Sequence, residues 1–152
     1  MKSKTTRELE DTLLKTHLED VNKVLNEDKD ELFDYTDFTA YMKSIFSEKK
    51  LMEQTVFTRA DISDRYGYKL ISGEKHTNQR DVIIRICFAA RFTLEETQRA
   101  LKLYGMSPLY VRVPRDAYIM AGFNSDLKYI IDLNEYLKEN KQAPLKNVGN
   151  IE

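Results

Sequence analysis

Hydrophobic residues recur along this chain at spacings of three and four rather than two. From Arg7 to Leu25 the apolar positions Leu14, Leu18, Val21 and Leu25 fall on one helical face. A charged connector, Asn26 to Glu31, follows. Asp34 or Thr36 can then cap a helix whose Phe38, Tyr41, Met42, Ile45 and Phe46 share one stripe, the best-formed amphipathic face in the chain. Val56 to Ala60 predicts a short helix, Asp61-Ile62-Ser63 a tight turn, and Asp64 to Ser72 a second helix closed by Gly73. Ser63 suits an N-cap, and Gly73 suits the left-handed closing position.

After the loop Glu74-Lys75-His76-Thr77, Asn78 can cap a helix running through Ala90. Its Val82, Ile83, Ile84, Ile86, Cys87, Phe88 and Ala89 are apolar nearly all round, so it predicts the central buried helix. Thr93 and Glu96 form a capping box that opens the next helix, with Leu94, Thr97, Leu101 and Tyr104 on one face and a stop at Gly105. Tyr110 to Val113 predicts an extended crossing segment. Pro114 starts a helix through Phe123, and Ser125 is expected to cap a last helix to about Glu139, with Leu127, Ile130, Ile131, Asn134 and Leu137 inward.

The fold class expected is therefore all-α. Four stretches are expected: an acidic helical extension over 1–34, a helical domain over 35–106, a helical extension over 107–140 packed on it, and a tail over 141–152. No internal repeat or low-complexity tract divides them. Only five Gly and three Pro in 152 residues leave few turns, which favours helices over a strand-rich sandwich.

Charge changes the picture more than composition does. The net charge of −1 argues against a general nucleic-acid binder, because nonspecific affinity comes from neutralised phosphates. Its distribution is uneven, however. Residues 1–34 carry six basic against ten acidic side chains, whereas 65–91 carry six basic against two acidic. A basic centre behind an acidic leading segment is what anion binding needs.

Within 64–72, Leu70 and Ile71 are expected to face inward, leaving Arg65, Tyr68, Lys69 and Ser72 on one outward stripe that can reach base edges and phosphates. Here the sequence resembles the XRE, or lambda-repressor-like, helix-turn-helix family, over about Phe38 to Met106. The resemblance is carried by Ile62, Ser63, Leu70, Ile71, Gly73 and Lys75, and by Thr93-Leu94-Glu95-Glu96 after the apolar helix. Three positions depart from the family pattern: Phe57 stands where a small residue is usual, Asp61 at the turn glycine, and Gly67 at an apolar position of the reading helix.

The resemblance implies a five-helix core and a cytoplasmic, bacterial-type transcription regulator that binds double-stranded DNA as a homodimer. The DNA-contacting residues expected are Asp64, Arg65, Tyr68, Lys69 and Ser72, with Lys75, His76 and Arg80 towards phosphate. The dimer surface would lie in the leading helix or in the two helices after Pro114. The alternative is a solvated helix face on a protein-interaction adaptor that keeps the scaffold without reading DNA, with a protein partner on either extension.

Other chemistry finds little support. His17 is the only other histidine, and Cys87 sits alone in the most apolar helix, so neither a metal site, a disulfide nor an activated thiol is expected. No phosphate loop or nucleophile motif appears, and no cofactor or enzymatic activity is expected. No apolar run is long enough to span a membrane, and the N-terminus has no signal-peptide core.

Overall fold

A computed structural model describes residues 35–147. Seven helices and no strand occur among them: α1 (Tyr35–Glu48), α2 (Glu53–Ala60), α3 (Asp64–Ser72), α4 (Arg80–Ala89), α5 (Leu94–Leu103), α6 (Pro114–Phe123) and α7 (Ile130–Glu139). The expected leading helix, and Asp34 as a cap, lie outside the described residues.

The central position falls to α4. Every residue from Asp81 to Ala89 is buried, as its all-round apolar pattern predicts. It packs against α2 and α5, and against α7 on another side, while α1 lies on α3 and α5. The stripe of α1 supplies Phe38, Met42, Ile45 and Phe46 to this core, and Phe38 meets Tyr104 edge to face at 4.7 Å. The capping box forms as its spacing predicts. The Thr93 hydroxyl accepts from the Glu96 amide at 3.1 Å, and the Thr93 amide donates to the Glu96 carboxylate at 2.8 Å.

Several boundaries differ from those read in the sequence. The first helix of the α2–α3 pair begins at Glu53, a turn before Val56. Asn78 does not cap α4; Gln79 occupies the N-cap position without a side-chain bond, and the Thr77 hydroxyl accepts from the Gln79 amide. The last helix starts at Ile130 rather than after Ser125. The Ser125 hydroxyl donates to the Gly122 carbonyl at 2.7 Å and accepts from the Leu127 amide at 3.1 Å, a local turn that competes with helix initiation. In consequence Ile130, Leu133 and Leu137 form the inner face of α7, and Ile131, expected inside, is 76% exposed. Tyr110 to Val113 is an irregular crossing between α5 and α6, with Tyr110, Val111 and Val113 exposed.

The ends of α4 and α6 are fastened by two crossed ion pairs. Arg80 pairs with Asp116, and Asp81 accepts two bonds from Arg115 at 3.1 and 2.9 Å. Adjacent residues of opposite sign on each helix thus meet their counterparts in reverse order. The Asp116 carboxylate also accepts from the Tyr110 amide, fixing the crossing segment.

Candidate nucleic-acid interface

The turn between α2 and α3 takes its shape from Asp61, whose φ of 56° and ψ of 47° place it in the left-handed region. Aspartate tolerates this conformation better than most non-glycine residues. The Ile62 amide donates back to the Phe57 carbonyl at 3.0 Å, Ile62 is buried, and Ser63 then opens α3 by accepting from the Tyr66 amide at 3.3 Å. At the far end Gly73, with φ 83°, closes the helix, and the Lys75 amide donates to the Lys69 carbonyl at 3.0 Å.

Phe57 and Gly67 account for each other. A Cβ on Gly67 would lie 2.5 Å from carbons of the Phe57 ring, so the large side chain on α2 occupies the space that α3 leaves by having none. Both residues are buried. Tyr68 meets the same ring edge to face at 5.1 Å and remains 45% exposed. Phe57, Asp61 and Gly67 are therefore all accommodated in a close-packed helix, turn and helix.

Of the stripe read on α3, Arg65, Tyr68 and Ser72 are exposed and Lys69 is half-buried, while Tyr66, Gly67, Leu70 and Ile71 face the core. Asp64, half-buried at the start of the helix, accepts from the Gln54 amide group at 3.1 Å. Gln54 thus ties the beginning of α2 to the beginning of α3. Its position ten residues away carries no periodic signal, and sequence reading missed it. The Ser72 hydroxyl donates to the Lys69 carbonyl and accepts from the Glu74 amide, which fixes the start of the following loop.

That loop is pinned to the core. His76 stacks on the Tyr104 ring at 4.8 Å with the planes 6° apart, and the Thr77 amide donates to the Tyr104 hydroxyl at 3.0 Å. Lys75 is half-buried beside it. Arg80 stands apart from this group. Its guanidinium is committed to Asp116 and to the carbonyls of Ser107 and Pro108, which competes with the phosphate role expected of it.

The positive charge of 65–91 is thereby divided. Arg65, Lys69 and Lys75 lie on α3 and its loop, whereas Arg80, Arg85 and Arg91 brace the chain that follows. Arg85, buried within α4, donates to the Ala60, Leu145 and Lys146 carbonyls. Arg91 donates to the Lys128 carbonyl and lies over the Tyr129 ring.

Elsewhere, burial pushes the Cys87 thiol well above its ordinary value, which the hydrogen bond to Thr97 offsets only in part. Among the described residues no cluster of His, Cys, Asp and Glu is arranged to hold a metal ion, and no helix is long and apolar enough to cross a membrane. No family model matches this sequence, and no curated protein or solved structure matches it.

Proposed function

We propose that this chain is a sequence-specific DNA-binding regulator of transcription that reads the major groove with α3. The observation that carries the reading is the two-sided character of that helix. It keeps Tyr66, Leu70 and Ile71 in the core and presents Arg65, Tyr68 and Ser72 outward, next to the half-buried Lys69. Arg65 supplies planar donors for a guanine edge, Lys69 and Lys75 charge for phosphate, and Tyr68 an apolar surface with a hydroxyl. The scaffold is the lambda-repressor-like arrangement, with α1 to α5 as its core. One nine-residue helix reads few base pairs, so the active form is a homodimer on paired half-sites. The protein acts in the cytoplasm, with neither cofactor nor catalytic activity.

A protein-interaction adaptor is the second reading. Arg80, Arg85 and Arg91 turn to internal partners, and Asp64 and Glu74 adjoin Arg65 and Lys75 in the chain. Enrichment of a randomised duplex pool by the purified full-length chain separates the two. A regulator yields a consensus of two related half-sites. A pool that stays random after repeated rounds at low salt, with folded protein, overturns the regulator in favour of the adaptor.

A further inference from the structure

Residues 143–147 have no regular secondary structure, yet side chains from three helices meet their backbone groups one by one. Arg115 donates from Nε to the Ala143 carbonyl at 3.0 Å and from Nη2 to the Pro144 carbonyl at 3.2 Å. Arg85 donates from Nη2 to the Leu145 carbonyl and from Nε to the Lys146 carbonyl, both at 2.8 Å. In the opposite sense, the Leu145 amide donates to Asn134 Oδ1 at 2.8 Å and the Lys146 amide to Asp81 Oδ2 at 2.9 Å. Pro144, which has no N–H, needs no acceptor there.

Only one side chain of the run is buried. Leu145 is enclosed, while Ala143, Pro144, Lys146 and Asn147 lie at the solvent edge. Main-chain bonds with a single apolar anchor are how proteins hold short extended peptides. Most protein hydrogen bonds join main chain to main chain, whereas this run is met by side chains.

We propose that Asp81, Arg85, Arg115 and Asn134 form a peptide-binding groove for a short proline-leucine segment, which the chain's own residues 143–147 fill as an exchangeable strap. The occupant that remakes every pairing is the same segment, in cis or from a second copy. The strap also reaches the α2–α3 turn. Arg85 Nη1 donates to the Ala60 carbonyl at 3.0 Å, and Asn147 donates to the Asp61 carboxylate at 2.6 Å. Opening the strap therefore releases the outer tie on Asp61 and leaves Arg85 with buried donors that have lost two acceptors, which favours rebinding of a like segment.

The test uses a fluorescent peptide of residues 141–149, titrated into the full-length chain and into its Leu145→Asp variant, with anisotropy as the readout. The variant is expected to bind at least about tenfold tighter than the wild type, because a tethered strap competes at an effective concentration on the order of millimolar. A peptide carrying the same Leu145→Asp change is expected to bind neither. A folded variant that ignores the native peptide, or binds both peptides alike, overturns the groove. Should the variant not fold, hydrogen exchange on the unaltered chain decides the matter. Exchange of the Leu145 and Lys146 amides at least about 100-fold faster than the α4 amides, in a shared opening, supports the strap; exchange only at the α4 rate makes the segment permanent core and overturns it.

Discussion

Gly67 sits in the middle of α3, where glycine costs a helix roughly 1 kcal/mol relative to alanine. Alanine there would nevertheless press its Cβ into the Phe57 ring, and overpacking of this kind costs about 1–3 kcal/mol. The packing term is the larger, so Gly67→Ala is expected to destabilise the wild-type chain by about 1 kcal/mol in chemical denaturation. In a Phe57→Ala background the sign reverses, since the ring is gone and only the helix preference remains. A stabilising Gly67→Ala in the wild-type chain contradicts the contact. Neither residue reveals this alone: only pairing α2 with α3 shows that the Phe57 ring fills the space Gly67 leaves. Asp61 is similar, because its left-handed backbone and its bond to Asn147 join positions far apart in the chain.

At the scale of elements, the helices legible in the sequence were those whose ends carry their own chemistry. Ser63, Gly73, the Thr93–Glu96 box and Pro114 all mark boundaries, because each satisfies or removes a terminal backbone group locally. Ser125 misled for the same physical reason, since its hydroxyl closes the turn after α6 instead of opening α7. The box also gives a pH prediction. Burial pushes the Glu96 carboxyl up, but the Thr93 amide and the Lys49 ammonium outweigh it and hold the group below its usual 4.5. Glu96 thus contributes stability that is fully present above that value and is lost as pH falls through the lowered one. Glu96→Gln keeps an acceptor for Thr93 but loses the charge. It is expected to cost about 0.5 kcal/mol at neutral pH and to flatten thermal stability against pH below the usual 4.5. An unchanged acid profile contradicts the assignment.

Over the whole molecule, residues distant in sequence decide which basic side chains brace the fold. The excess of basic residues over 65–91 is visible in the chain, but its division is not. Arg80, Arg85 and Arg91 find their partners 25 to 61 residues away, beyond the reach of any local pattern. The crossed pairs of α4 and α6 hold the C-terminal helices to the core. Arg115→Ala leaves the buried Asp81 with only the Lys146 amide of its former partners and is expected to cost about 2 kcal/mol, below the roughly 3–5 kcal/mol of a fully buried pair because Arg115 is partly exposed. Urea denaturation measures it, and a loss no larger than that of an exposed pair, under about 0.5 kcal/mol, refutes the bracing role. Braced in this way, the molecule retains Arg65, Lys69 and Lys75 as the basic residues of α3 and its loop.

The reading by α3 is tested most directly by titrating the full-length chain against fluorescent duplexes from its own upstream region and against scrambled DNA, over a series of salt concentrations. The account predicts preference for the native duplex and affinity that falls as salt rises. It also predicts that an Arg65→Ala, Lys69→Ala double variant, with its fold intact, loses the preference, with a salt slope shallower by up to about two. Equal binding of wild type and double variant, or no binding of either duplex at low salt, contradicts it.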